Sequence, residues 1–196
     1  MRIIAGKARG RKIKGPINEG RETKTGEVKA TRPTLDRVKE AMFNIIQNKI
    51  YNAHVLDVFA GTGSLGLEAA SRGARSVYLV DAFKETYDLL VENIEHLGFN
   101  KECSSYLLDY REALKRFGAK GEVFDLIFID PPYLNEMIPV AIELVDKHQM
   151  LSQDGVIITK VDSRETIFEG LGDLKVVEER RYGNTTLVFY QYEKKE

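Results

Sequence analysis

An α/β fold with a doubly wound, mostly parallel sheet is expected of this chain, on three observations. Short apolar runs alternate with amphipathic helical stretches between residues 55 and 161, the rhythm of strands and crossover helices. A glycine-rich turn, Gly61-Thr62-Gly63-Ser64-Leu65-Gly66, follows the first of these runs and opens a helix. Successive runs close on Asp57, Asp81, Asp109 and Asp130, and in open α/β sheets ligands gather beyond the C-terminal strand ends.

The elements follow in order. Residues 2–14 alternate weakly around Gly6 and Gly10 and read as a small basic β-hairpin. Residues 15–31 carry Gly15, Pro16, Asn18, Gly20 and Gly26 among charges and read as a loop. A helix is expected from Thr34, its N-cap, with Val38, Met42, Ile45 and Ile46 on one face. Strands are expected at 55–59, 77–81, 103–108, 124–130 and 156–161, and helices at 64–72, 84–97, 110–117 and 136–149. Gly73 and Gly98 stop two of the helices. Residues 174–181 and 186–192 read as strands around Tyr182-Gly183-Asn184, with room for only a short helix before them. This hairpin predicts a last strand running antiparallel at one side of the sheet. Two units are expected: a basic hairpin-and-loop extension, 1–30, and a main domain, 31–196.

Composition narrows the function classes. With 196 residues, 43% hydrophobic and 30% charged, the chain is the size and make-up of a globular domain. No apolar stretch approaches the roughly 20 residues of a membrane span. Charge begins at Arg2 with no apolar signal core, so a cytoplasmic location is expected. Cys103 is the single cysteine, which excludes an internal disulfide framework. His54, His96 and His148 are scattered, so no metal site is expected. The net charge of −1 conceals an asymmetry: residues 1–40 hold 12 Lys and Arg against 5 Asp and Glu, and the remainder 17 against 25. Charge segregated in this way fits a nucleic-acid contact at one end, or equally a solvated basic tail.

The residues that carry chemistry begin with Asp130-Pro131-Pro132-Tyr133, which closes the apolar run 124–129. A carboxylate and two prolines stop the ladder and make a rigid corner. The prolines offer carbonyl acceptors without N–H donors, and Tyr133 adds a flat ring. Such a corner suits a planar base bearing an exocyclic NH2. The glycine turn matches the G-x-G-x-x-G pattern of dinucleotide sites, a match that glycine content alone produces in roughly one chain in ten. Its context separates two cofactors. Asp57, four residues before Gly61, would repel a pyrophosphate and suit a cation. S-adenosylmethionine has a sulfonium and an ammonium and no phosphate. Asp81 would accept ribose hydroxyls, and Asp109 an adenine N6 amine. Each alone could simply cap the helix that follows it.

Taken together, the segment Asp57-Val-Phe-Ala-Gly-Thr-Gly-Ser-Leu-Gly66 and the Asp130–Tyr133 corner resemble the class I S-adenosylmethionine-dependent amino-methyltransferases, which have a Rossmann-like sheet. Met1-Arg-Ile-Ile-Ala-Gly-Lys-Ala-Arg-Gly10, Thr31-Arg-Pro-Thr34 with Asp36-Arg-Val-Lys-Glu40, and Tyr182-Gly183 resemble, more narrowly, the RsmD family. That resemblance implies methylation of N2 of one guanine in 16S ribosomal RNA, within the small subunit; a monomer is the default expectation. It implies that Asp57, Gly61 and Gly63 meet the methionine and ribose of the cofactor, Asp81 the ribose, and Asp109 the adenine. Phe59, Ala60 and Tyr110 complete the expected cofactor set. Asp130, Pro131, Pro132 and Tyr133 would take the target base, with Asp130 and the Pro131 carbonyl accepting the hydrogens of its amine. Arg9, Arg11, Lys12, Lys14 and Arg32 would hold RNA phosphates. Two departures from the family pattern are the longer loop before Thr31 and Lys160, which stands where an acidic residue is more typical. A DNA adenine-N6 methyltransferase, a non-catalytic RNA-binding assembly factor and a nicotinamide-dependent dehydrogenase are the alternatives.

Overall fold

In the computed structural model, the described residues are 1–16, 32–131 and 136–193, with the side chains of 32–35 left aside. The elements are α1 (Arg32–Ile45), α2 (Gln47–Ile50), β1 (His54–Asp57), α3 (Ser64–Ser71), β2 (Ser76–Asp81), α4 (Lys84–Leu97), β3 (Cys103–Leu107), α5 (Tyr110–Ala119), β4 (Phe124–Ile129), α6 (Met137–Lys147), β5 (Leu151–Asp162), β6 (Gly170–Leu171), β7 (Leu174–Tyr182) and β8 (Thr185–Tyr192). They form one eight-stranded sheet in the order β3-β2-β1-β4-β5-β8-β7-β6. β1 to β5 pair in parallel, and β8, β7 and β6 are antiparallel. The expected α/β class and mixed sheet are therefore present.

Binary patterning explains the layers. Leu126 and Phe128 of β4 face one core with Val38, Met42 and Phe43 of α1, Leu67 of α3 and Leu90 and Ile94 of α4. Ile127 and Ile129 face the other, with Leu114 and Phe117 of α5 and Ile142 and Val145 of α6. Strands apolar on both faces need helices on both. β1 is followed outward by β2 and β3, whereas β4 lies on its other side. The crevice between the ends of β1 and β4 is thus the switch point where such sheets bind ligands.

Four expectations change. The helix expected from Thr34 begins at Arg32, with Pro33 in its first turn, where a missing N–H costs nothing. The last strand is internal: β8 lies between β5 and β7. The two-residue strand β6 pairs with β7 in place of the short helix. Residues 2–14 form a looser hairpin than expected, with one isolated bridge, Arg2 to Lys12, among the described residues. Ile3 donates from its N–H to the Arg11 carbonyl at 2.9 Å, and Ile13 to that of Met1 at 3.0 Å. Ile3, Ala8 and Ile13 are buried in the α1/α3/α4 core.

Candidate active site

The turn between β1 and α3 shapes the crevice. Gly61 and Gly63 have φ of 55° and 95°, conformations that cost a side-chain-bearing residue about 1 kcal/mol or more. A Cβ at Gly63 would meet Leu67 and Leu90 within 2.7 Å, and one at Gly66 would lie 2.6 Å from Leu79. These two glycines therefore serve helix–sheet packing. A Cβ at Gly61 would meet nothing within 4 Å; this glycine faces open space, where a ligand can approach the backbone.

The loop's N–H groups are already engaged. Gly61 donates to Asp81 Oδ2 at 2.8 Å, Gly66 to Asp57 Oδ2 at 3.0 Å, and Gly63 to the Ala60 carbonyl at 2.8 Å. A pyrophosphate would need such donors free. Asp81 also accepts from the Phe83 N–H at 2.8 Å and the Thr86 hydroxyl at 2.6 Å, which ties the end of β2 to the start of α4. Asp109 caps α5, accepting from the Arg111 N–H at 2.9 Å, the alternative role its position allowed. Tyr110 stacks on Phe59 at 5.0 Å between ring centres.

Of five buried side-chain polar atoms without a hydrogen-bond partner among the described residues, three belong to Asp57 (Oδ1), Thr62 (Oγ1) and Tyr110 (the hydroxyl); the others are His54 Nε2 and Thr159 Oγ1. Buried polar atoms are rarely left so unless a ligand or water completes them. Asp57 is 1% exposed. Burial pushes its carboxyl from 3.8 up to about 7; Asp130 and Asp81 add to the rise and the Gly66 N–H opposes it. Between those two values the folded protein holds a proton that the unfolded chain has lost, so stability falls as pH rises through that interval. The melting temperature of the unliganded protein is expected to decline across it. Asp57→Asn should flatten this decline in a calorimetric pH series; an equal slope in both proteins would count against a raised Asp57.

At the crevice's other wall, Asp130 follows β4. Its Oδ2 accepts from Lys160 Nζ at 2.6 Å, with side chains 25% and 34% exposed. Pro131 is among the described residues; Pro132 and Tyr133 lie outside them. The crevice thus brings together Asp57, Phe59, Ala60, Gly61, Asp81 and Tyr110 around the β1 and β2 ends, with Asp130 across the switch point. A separate cavity of about 410 Å³ beside the end of β5 is lined by Ile138, Val161, Phe168 and Tyr190 among others, and by none of the expected site residues among the described ones.

The basic segment is more tightly committed than its sequence implied. Arg11 donates to the Leu97 carbonyl at 3.1 Å and to that of His96, capping α4. Lys14 pairs with Glu92 at 2.8 Å and Lys7 with Glu102. Among the described residues Arg9 and Lys12 make no ion pair. Arg32 opens α1, and Thr31 lies outside the described residues.

Two features escaped sequence reasoning. Glu68, fully buried, accepts from the Ile4 and Ala5 N–H groups at 2.8 and 3.0 Å and pairs with Lys39 at 3.3 Å and Arg72 at 2.8 Å. Buried Asn93 accepts from the Lys14 N–H and donates to the Lys14 and Thr62 carbonyls. The N-terminal segment is thereby fastened to the glycine turn. A glutamate within the apolar run 65–70 was the available signal for the first of these.

Comparison with known proteins matches this architecture to a family. A family model described as conserved hypothetical protein 95 matches residues 1–191. YlbH of Bacillus subtilis (strain 168), named as a candidate rRNA methyltransferase, is 34% identical over 191 residues, 97% of this chain and 98% of that protein. The ribosomal RNA small subunit methyltransferase D of Escherichia coli (strain K12) is 32% identical over 157 residues, 80% of this chain and 72% of that protein. A solved structure of yhhF from Escherichia coli, named as a candidate methyltransferase, superposes with a TM-score of 0.84 at 27% identity, covering 100% of this chain and 99% of that one. The crevice, the sheet order and these relatives agree: the chain belongs to the conserved hypothetical protein 95 family, the RsmD-like family of rRNA methyltransferases.

Proposed function

We propose that this protein transfers a methyl group from S-adenosylmethionine to the exocyclic N2 amine of a guanine in 16S ribosomal RNA, acting on the small subunit. The observation that carries the reading is Asp130 across the switch point from buried, half-satisfied Asp57. One carboxylate answers a cationic cofactor and the other a base amine.

The residues fit that cofactor. The unpartnered Asp57 Oδ1 suits an ammonium or its water shell, and the Thr62 and Tyr110 hydroxyls offer further contacts. Asp81 is poised for the ribose, and the open face of Gly61 admits the nucleoside. Because the N–H groups of Gly61, Gly63 and Gly66 are spent on Asp81, Ala60 and Asp57, a pyrophosphate of a nicotinamide cofactor would not find these donors free. Bound there, S-adenosylmethionine supplies an electrophilic methyl group.

The protein's own residues orient the nucleophile. A guanine amine is weakly nucleophilic because its lone pair is delocalised into the ring. Asp130 and the Pro131 carbonyl accept its hydrogens and favour a pyramidal nitrogen. As the new N–C bond forms, the sulfur–methyl bond would break to leave S-adenosylhomocysteine, and the nitrogen sheds one proton to Asp130 or water. Fixed acceptors of this kind act by positioning and preorganised electrostatics. Tyr133 supplies a stacking ring for the unstacked base.

The test is transfer of tritiated methyl to small subunits lacking native methylation, with duplex DNA in parallel. N2-methylguanosine in digested ribosomal RNA is the expected product; label in DNA instead would overturn the substrate. The basic segment is tested with Arg9→Gln and Lys12→Gln together, which spares the capping role of Arg11. The expected result is a several-fold higher KM for RNA and a salt slope shallower by up to about 2; an unchanged slope would remove these residues from the RNA contact.

A further inference from the structure

We infer that Lys160 is a positioning residue for Asp130, holding its carboxylate in the orientation that methyl transfer requires. The inference rests on the reading of Asp130 as the acceptor for the substrate amine.

The fold places the two side by side. Thr159 of β5 is the Cα partner of Ile129 of β4, so the next residue of each strand is Lys160 and Asp130. On its other side Lys160 faces Leu187 of β8. Both neighbours of Lys160 along the strand are buried, Thr159 and Val161. Its ammonium ends on Asp130 Oδ2 at 2.6 Å. A long flexible lysine at a strand end ordinarily extends its charge into water; here it turns into the crevice.

The three crevice carboxylates are held differently. Asp57 is met by one backbone N–H, and Asp81 by two and a hydroxyl. Asp130 is met by a cation. The groups facing it are Asp57 from β1, with Asp81 on the next strand, and Lys160 from β5. Lys160 also occupies only Oδ2, which leaves Oδ1 to accept the amine. A charge-assisted contact of this kind fixes the carboxylate's rotation more firmly than solvent would. In the reaction no bond to Lys160 forms or breaks; the proton leaving the nitrogen passes to Asp130 Oδ1 or to water.

The experiment compares wild type, Lys160→Met and Lys160→Arg in methyl transfer to whichever nucleic acid the wild type labels. A wrong substrate therefore fails the guanine reading without touching the variant-to-wild-type ratio. Lys160→Met is expected to lower kcat about 10- to 100-fold. The KM for RNA and the affinity for S-adenosylhomocysteine should stay within about twofold. Lys160→Arg should recover most of the rate. A Lys160→Met enzyme with unchanged or higher kcat would overturn the inference, the latter by making Lys160 a competitor of the amine. A rise in KM alone would also overturn it, by making Lys160 a phosphate contact.

Discussion

Asp130→Ala is expected to lower methyl transfer by about 10³-fold or more, while S-adenosylhomocysteine binds within about twofold of wild type. The separation follows from where the residue stands. Asp130 lies beyond β4, across the switch point from the β1 and β2 ends, and accepts only from Lys160 among the described residues. The candidate cofactor contacts, Asp57 Oδ1, Thr62 Oγ1, the Tyr110 hydroxyl and the open face of Gly61, belong to other elements. Removing the Asp130 carboxylate deletes the acceptor that orients the amine and leaves that cradle intact. It also removes one negative neighbour of Asp57, so cofactor binding should if anything be easier to saturate. Isothermal titration beside the tritium assay separates the two quantities. Loss of cofactor affinity with turnover retained would assign Asp130 to the wrong ligand.

Glu68→Ala is expected to cost the fold about 3–5 kcal/mol, the penalty of stranding a buried charge, and to lower the melting temperature by roughly 10 °C for a chain of this size. Glu68 is the common acceptor for Lys39, Arg72 and the Ile4 and Ala5 N–H groups. Lys39 is itself 6% exposed. Burial lowers its pKa, and Glu68 is the chief force opposing that shift. Without the glutamate, Lys39 keeps the Arg2 carbonyl at 2.7 Å and a long contact to Ser64 at 3.4 Å. The N-terminal segment should then detach from α3 and become open to trypsin at Arg9 and Arg11. A compensated pair, Glu68→Gln with Lys39→Met, should recover part of the stability, because the most deeply buried cation is removed and only Arg72, which is partly exposed, loses its ion pair. Equal losses in the single and double variants would show that the network contributes through packing alone.

Much of this protein was legible in local sequence. The parallel core followed from alternating apolar runs and amphipathic stretches, and α4 came out with both of its expected ends, since the 3.6-residue period and the Gly98 stop are local signals. The crevice was legible because strand ends are ligand ends in open α/β sheets, so Asp57, Asp81 and Asp130 converged from sequence order alone. The misplacements have local causes too. The threonine at position 34 suits a cap, but Pro33 tolerates the first turn equally well and lies inside a helix beginning at Arg32.

Only the tertiary structure decided the rest, because it depends on pairs far apart in the chain. Lys160 reaches Asp130 across 30 residues, and Glu68 reaches Ile4 across 64. No periodicity reports such a pairing; it arises where parallel strands are brought into register and where a buried carboxylate must find donors. The same reason explains the basic segment. Its charge was plain in the sequence, but folding commits Arg11 to the end of α4 and Lys14 to Glu92, while Arg9 and Lys12 make no ion pair among the described residues. Sequence order placed the carboxylates at the crevice, and the packing of distant segments determined which of them meets a cation.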